Sequence, residues 1–75
     1  MAQKLPRLKA EEVIRVLQRH GFELISQRGS HQKWRNVSSG KQVIVPFHKG
    51  NQLPLGTIRS IIDGSGIPEA DFKDL

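Results

Sequence analysis

Two segments on either side of the short loop VSSGK alternate apolar and polar residues, and this alternation restricts the fold more than any other feature of the chain. Residues 31–36, HQKWRN, and residues 42–48, QVIVPFH, are typical of two strands joined as a hairpin. Pro46 indicates a sheet edge or a strand end, because proline has no N–H to donate to a neighbouring strand. The hairpin therefore needs other elements to cover one of its faces.

The pairing register of this hairpin follows from the demand for one apolar face. In one register Trp34 faces Ile44, and the valines of the later strand share a face with Lys33 and Arg35, which would bury charge. A shift by one residue exchanges the faces, and the apolar face then consists of Trp34, Val43, Val45 and Phe47. The opposite face then carries His31, Lys33, Arg35, Ile44 and His48. The sequence predicts this second register, which places His31 opposite His48.

Helical patterns flank the strands. About Lys9 to His20, apolar residues recur at helical spacing, namely Ala10, Val13, Ile14 and Leu17. Gly21 is expected to end this helix, with Phe22 closing over Leu17 and the first strand spanning residues 22–27. A second helical stripe consists of Leu55, Ile58, Ile61 and Ile62. Gly64 or Gly66 should end that helix, and Pro68 suits the first position of a short terminal helix.

These elements predict an α+β fold in the order helix, three-stranded antiparallel sheet, helix, short C-terminal helix. Residues 1–8 are expected to be a loose N-terminus, and residues 9–75 a single domain. A chain of 75 residues buries only a small core. Any functional site should therefore lie on the surface or in a shallow groove.

Charge is distributed unevenly along the chain. The net charge is +5, and no Asp or Glu lies between Glu23 and Asp63. The basic residues and histidines of that segment are Arg28, His31, Lys33, Arg35, Lys41, His48, Lys49 and Arg59. A solvated basic surface would explain scattered lysines. The exclusion of acids over half of the chain instead favours a polyanionic partner, because Lys and Arg displace counterions from phosphates.

Several chemistries are disfavoured. The absence of Cys excludes disulfides, thiolate zinc sites and a thiol nucleophile. Ser30 and His31 are adjacent, but neighbouring strand positions point to opposite faces, so they do not suit a nucleophile and base pair. The histidines share no metal-ligand spacing and the basic segment offers no carboxylate to magnesium, so we expect no metal and no cofactor. No apolar run resembles a membrane span or signal peptide, and we expect a soluble cytoplasmic protein.

His31 is the strongest remaining candidate for chemistry. An imidazole can accept and donate a proton near neutral pH, and RNA carries its own nucleophile in the 2′-hydroxyl. A base and cations that stabilise the phosphate therefore suffice to cleave RNA without a metal. The alternative is a structural role, in which His31 donates a hydrogen bond at the start of its strand. For His48 the residues alone favour a structural role.

The order of several short motifs resembles the HicA family of small bacterial toxins, also described as YcfA-like proteins. The motifs are HGF, QRGSH, VPFHKG, LGTIRSII and SGI, and the resemblance runs from about residue 10 to residue 72. The combination of GSH with GTIRSI is the most specific part. Family members commonly carry two histidines after Gly-Ser, whereas this chain has Gln32 in the second place, on the Trp34 face.

The resemblance implies a double-stranded-RNA-binding-domain-like fold and a metal-independent mRNA interferase, an endoribonuclease that is the toxin of a type II toxin–antitoxin system. It also implies a neutralising antitoxin of the HicB type. The family's catalytic histidine falls on His31, and His48 matches a histidine frequently found after the valine and proline of the third strand. The predicted register, which sets His48 opposite His31, makes His48 a possible second acid or base. The basic residues expected to bind RNA are Arg28, Lys33, Arg35 and Lys49.

Two other functions stay open. A module with the same fold can bind duplex RNA by its shape and cut nothing. The binding module and the endoribonuclease are distinguished by whether His31 matters more for cleavage than for binding. A DNA-binding role in a repressor complex lacks a recognition helix, since Ile58, Ile61 and Ile62 are needed for the core.

Overall fold

The computed structural model describes residues 5–73, which form a three-stranded antiparallel sheet with helices packed on one face. The elements are α1 (Ala10–Arg19), β1 (Phe22–Arg28), β2 (His31–Asn36), β3 (Gln42–Pro46), α2 (Leu55–Ser65) and α3 (Glu69–Lys73). The strands lie in the order β1-β2-β3. This layout confirms the predicted α+β fold and matches that of a double-stranded-RNA-binding-like domain.

Helix α1 begins and ends where local chemistry favours it. The backbone N–H of Lys9 donates to Glu12 Oε1 at 2.9 Å, and Glu11 and Glu12 place negative charge in the first turn, where the helix dipole favours it. At the other end Gly21 has φ +85° and donates its N–H to the Gln18 carbonyl at 3.1 Å. Glycine adopts this left-handed conformation without a Cβ clash. The chain then turns directly into β1.

The pairing of β2 with β3 differs from the predicted register by two residues. His31 pairs with Pro46, and Trp34 pairs with Val43. A shift of two residues leaves every side chain on its predicted face, so Trp34 and Val43 are buried as expected. The prediction that His31 lies opposite His48 is wrong. Strand β3 also ends at Pro46, and His48 lies beyond it.

The loop between β2 and β3 sets this register. The N–H of Asn36 donates to the Lys41 carbonyl at 2.8 Å, which closes the loop of residues 37–40. Asn36 Oδ1 accepts hydrogen bonds from the N–H groups of Ser38, at 2.9 Å, and Ser39, at 2.8 Å. Gly40, with φ +76°, donates to the Asn36 carbonyl at 2.9 Å. Apolar alternation has a period of two residues, so it cannot distinguish registers that differ by two residues. The hydrogen bonds of the loop do determine the register.

The core lies between the helices and the face of the sheet that carries Trp34, Val43 and Val45, called here the inner face. Its buried apolar residues are Leu8, Ala10, Val13, Val16, Leu17, Phe22, Trp34, Val43, Val45, Leu53, Ile58, Ile61, Ile62, Ile67 and Phe72. Val16 is fully buried, although the predicted helical stripe did not include it. Ile14, which the stripe did include, is only partly buried. Gly64 allows α2 to approach β3, because a Cβ there would lie 3.2 Å from Val43 Cγ1.

The C-terminal part of the chain completes the core. Helix α2 ends at Gly66, one of the two predicted positions, with φ +71°. The buried Ser65 hydroxyl donates to the Ile62 carbonyl at 3.0 Å and accepts from the Ile67 N–H at 3.1 Å. Both its hydrogen-bonding functions are thus used inside the core. Pro68 directly precedes α3, whose Phe72 is fully buried.

The predicted loose N-terminus differs from the structure at Leu8. That side chain is 4% exposed, and the Leu8 carbonyl accepts a hydrogen bond from the Leu53 N–H at 2.7 Å. Lys9 and Gln52 form an isolated bridge beside it. Residues 1–4 of the predicted loose end, and residues 74–75 of the predicted domain, lie outside the described residues. Within residues 5–73, no helix is both long and apolar enough to cross a membrane.

Candidate nucleic-acid interface

The outer face of the sheet, opposite the inner face, presents three rows of side chains across β1, β2 and β3. From one end of the sheet to the other, the rows are Arg28, His31, Pro46; Ser26, Lys33, Ile44; and Glu23, Arg35, Gln42. They are called here the His31 row, the Lys33 row and the Arg35 row. Two of the three rows carry no acid, so one end of the face is purely cationic.

A shallow depression of about 360 Å³ lies on the His31 and Lys33 rows. The residues that line it are Ser26, Arg28, His31, Lys33 and Ile44. The predicted catalytic residue and two of the predicted RNA-binding residues therefore share one concave site. Its floor is formed by the sheet, in keeping with the shallow groove expected of a chain this small.

A tight turn sets Arg28 opposite His31. Gly29 has φ +58°, and with Ser30 it forms the two-residue connection between β1 and β2. A glycine with positive φ at the first position of such a connection matches the twist of the two strands. Gln27 Nε2 donates to the Gly29 carbonyl at 3.0 Å, and the Ser30 carbonyl accepts from the Phe47 N–H at 2.7 Å. The turn is thus tied to both neighbouring segments.

A β-bulge in β1 determines which of its side chains reach the depression. Leu24 pairs with Trp34, but the next pair is Ser26 with Lys33, so Ile25 is an extra residue. An extra residue inverts the alternation beyond it. Ser26 and Arg28 consequently lie on the outer face, although strict alternation from the buried Phe22 would place both on the inner face. The bulge is the reason that Arg28 lies beside His31.

The imidazole of His31 is exposed and available. Within residues 5–73, it makes no side-chain hydrogen bond or ion pair. The structural alternative, a hydrogen bond donated at the start of the strand, therefore has no acceptor in the described part of the fold. Arg28 lies across from His31 on β1 and Lys33 lies two residues along β2 on the same face, so the site combines a proton-transfer group with two cations.

Arg35 occupies a different environment from the other predicted RNA-binding residues of the sheet. It lies in the row that also holds Glu23, and it does not line the depression. A Cβ on Gly40 would be 3.8 Å from Arg35 Nη2, so its guanidinium lies over the β2–β3 loop. The carboxylate across the strand offsets part of the attraction of this row for an anion.

His48 and Lys49 are not brought to the depression. Both are exposed and lie at the turn that follows β3, where the His48 carbonyl accepts from the Asn51 N–H at 3.0 Å. Gly50, next in that turn, donates its N–H to Glu11 Oε2 at 3.2 Å. Bonds from the backbone N–H groups of Glu11 and Gly50 lower the pKa of Glu11, with help from Lys9 and Lys49, against partial burial that raises it. Lys49 thus lies near the start of α1.

Arg59 belongs to the acid-free segment in sequence, but in the fold it contacts acids that follow that segment. Its Nη2 lies 2.9 Å from Glu69 Oε1, and its Nη1 lies 3.5 Å from Asp63 Oδ1. The hydrogen bond from Lys73 and then that from Arg59 lower the pKa of Glu69. Arg59 therefore ties α2 to α3.

Gln32, which replaces the second histidine of the family motif, lies on the inner face as predicted. Its Oε1 accepts a hydrogen bond from Trp34 Nε1 at 3.1 Å, and its Nε2 lies 3.5 Å from Gln27 Oε1. A largely buried indole N–H requires an acceptor, and Gln32 supplies it. The substitution thus concerns the packing of Trp34 and leaves the outer face unchanged.

Two residues of the depression were not among the predicted site residues. Ile44 was predicted to share the His31 face, but alternation gave no reason to assign it to a site. Ser26 was missed because the bulge that turns it outward has no signature in the sequence. Within residues 5–73, no group of three or more His, Cys, Asp or Glu side chains could hold a metal ion.

Together, the layout of the fold and the cationic sheet face define a small domain with a double-stranded-RNA-binding-like fold and an exposed imidazole at one end of the sheet. The chain matches the family model of the HicA toxin of bacterial toxin–antitoxin systems over residues 10–67, which include α1, the whole sheet and α2. It belongs to the HicA toxin family, and membership implies a cognate antitoxin. A comparison with curated proteins gives no significant match.

Proposed function

We propose that the protein is a metal-independent endoribonuclease toxin that cleaves mRNA in the cytoplasm, with His31 as its general acid or base. The observation that supports this proposal best is the exposed imidazole of His31, which lies in the depression beside Arg28 and Lys33 and makes no side-chain bond within residues 5–73. Membership of a toxin family supports it independently. Lys33, Arg35 and Lys49 extend the basic surface that would attract the RNA backbone.

The proposed reaction uses groups of the RNA and of the depression, together with water. His31 accepts the proton of the 2′-hydroxyl, whose oxygen then attacks the adjacent phosphorus. The bond from phosphorus to the 5′-oxygen breaks, and that oxygen takes a proton from water. The products are a 2′,3′-cyclic phosphate and a 5′-hydroxyl end. Arg28 and Lys33 stabilise the extra negative charge of the five-coordinate phosphorus. Stabilisation of charge that develops in the transition state is usually the largest contribution to catalysis.

The first prediction tests the role of His31. His31→Ala should lower the rate of RNA cleavage by about 10² to 10⁴, the usual contribution of a positioned acid or base, with RNA affinity changed only a few-fold. His48→Ala is the matched control and should cleave at a rate close to that of the unmodified protein, because His48 does not line the depression. Cleavage should also continue in EDTA and leave cyclic phosphate ends. The measurement is single-turnover cleavage with analysis of the product ends.

If His31→Ala cleaves at the full rate, or EDTA abolishes cleavage, the proposal is wrong. The second candidate function, a module that binds duplex RNA without cutting it, is favoured by the fold layout alone. It predicts that His31→Ala changes binding and that no preparation of the protein cleaves RNA.

We also propose that the cognate antitoxin is of the HicB type and covers the outer face. An inhibitor that occupies the depression would block both the imidazole and the phosphate-binding cations. The second prediction is that antitoxin binding protects His31 from carbethoxylation, measured by mass spectrometry, while His20, at the end of α1 and 3.1 Å from Asp71, keeps its reactivity. A complex that leaves His31 reactive, or leaves cleavage unchanged, would place the inhibitor elsewhere.

A further inference from the structure

Ile44 is a half-exposed apolar side chain that lies outside the apolar core. Its neighbours in β3, Val43 and Val45, point to the inner face and are buried, whereas Ile44 is 45% exposed. It lies directly across from Lys33 and is the only apolar residue of the five that line the depression. The core does not include Ile44, and the other four residues that line the depression are polar or cationic.

The two rows of the depression are separated by a distance that suits successive parts of a nucleotide chain. The His31 and Lys33 rows are two residues apart along β2, about 6.6 Å. Two amino-acid residues and one nucleotide each contribute six backbone bonds, so the repeats of the two chains are similar in length. If a phosphate is held between Arg28 and His31, the next part of the RNA lies over the Lys33 row.

The chemistry of the Lys33 row fits a nucleoside. A nucleobase presents apolar faces and polar edges, and proteins that bind unpaired bases place flat or apolar groups against those faces. Ile44 offers an apolar surface on one side of Lys33, and the Ser26 hydroxyl lies on the other side, within reach of a polar edge. The volume of about 360 Å³ falls in the range of small-ligand sites.

From this arrangement, and resting on the function proposed above, we infer that Ile44 forms the floor of a nucleobase subsite. The subsite binds the base of a nucleotide next to the cleaved phosphate. Because the faces of a base are covered in a duplex, the ligand is a single-stranded segment of RNA. Ile44 thus contributes to the choice of cleavage site, whereas the cations act on any sequence.

The inference is tested by binding, without cleavage, to short single-stranded oligonucleotides. The probes are a 2′-deoxy tetranucleotide, which lacks the attacking hydroxyl, and a fully abasic oligomer with the same number of phosphates. Ile44→Ala should bind the probe with bases about three- to tenfold more weakly than the unmodified protein, because less apolar surface is covered by the base. It should bind the abasic probe equally well. Ile25→Ala is the matched control, since Ile25 is 49% exposed and does not line the depression.

Equal affinities of the two proteins for the probe with bases, or an equal reduction in affinity for both probes, would overturn the subsite. Thermal unfolding shows whether the Ile44→Ala variant is folded. If that variant does not fold, Ile44→Thr is used instead, because threonine keeps the β-branched shape preferred in strands. Mapping of cleavage sites on an RNA of random sequence gives a second readout, in which Ile44→Ala changes the base preferred beside the cut. The binding test does not depend on cleavage, so it fails separately from the proposed role of His31.

Discussion

Arg28 and Arg35 are the same residue type on the same face of the sheet, and their surroundings predict different roles. Arg28 lies beside His31 in the depression, whereas Arg35 shares its row with Glu23. The third prediction is that Arg28→Ala lowers kcat for RNA cleavage about 10²-fold, because it removes a cation from the place where charge develops. Arg35→Ala should raise KM a few-fold and leave kcat nearly unchanged. It removes an interaction that is equally strong in the bound substrate and in the transition state.

Steady-state kinetics on a single-stranded RNA measure both parameters. Equal effects of the two substitutions on kcat would mean that the depression does not define the reaction centre. A change in the free energy of unfolding would point to a structural role for either residue, and both are exposed, so we expect none above about 0.5 kcal/mol.

At the level of single residues, the sequence predicted those parts of the site that depend on strand alternation or on the family resemblance. His31, Lys33 and Arg35 follow from alternation in β2, and Gln32 was correctly placed beside Trp34. Ser26 could not be predicted, because the extra residue at Ile25 depends on how β1 packs at the sheet edge. Arg28 was selected for its charge alone, and its position opposite His31 comes from the bulge.

The β2–β3 hairpin depends on one side chain. Asn36 bonds two N–H groups of its own loop, and its Nδ2 donates to the His20 carbonyl at the end of α1 at 2.7 Å. The fourth prediction is that Asn36→Ala lowers the free energy of unfolding by about 1–3 kcal/mol through loss of these three hydrogen bonds. Urea denaturation is the measurement. Asn51→Ala is the control, since Asn51 is exposed and its side chain makes no hydrogen bond within residues 5–73.

At the level of elements, the sequence predicted the three helices and three strands found within residues 5–73, and its register for β2 and β3 was wrong. Alternation required that Trp34 and the valines of β3 share a face, and they do. The same pattern is satisfied by registers two residues apart, so the pairing of His31 with Pro46 could not be distinguished from a pairing with His48. Recognition of Asn36 and Gly40 as a loop closed at Lys41 would have given the correct answer.

Stability of the whole molecule should depend on pH through Glu69, which joins α2 to α3. Hydrogen bonds from Lys73 and Arg59 lower the pKa of Glu69 in the folded protein. A carboxylate with a lowered pKa stabilises the fold above its unfolded pKa, about 4.3 for glutamate, and this contribution is lost as the pH falls below that value. The fifth prediction is that Glu69→Gln weakens the loss of stability between pH 5 and pH 3, as measured by thermal unfolding. Asn51→Ala, which removes no ionisable group, is the control and should keep the full dependence.

The core and the candidate site lie on opposite faces of the sheet. The inner face and the helices hold the core, and the outer face is left open with cations and His31. Substitutions in the depression should therefore alter function at little cost in stability. Those in the core should unfold the protein before they alter the site.

The extra residue at Ile25 makes β1 one residue longer than the segment of β2 with which it pairs. Replacement of Ile25 by another side chain leaves the number of residues between Phe22 and Arg28 unchanged, and so keeps Arg28 on the outer face. Deletion of Ile25 would leave Leu24 opposite Trp34 and Ser26 opposite Lys33, so it would restore regular alternation and also keep Arg28 on the outer face. Among variants that arise by mutation of the gene, an in-frame deletion of codon 25 should therefore be tolerated, as substitutions at Ile25 are.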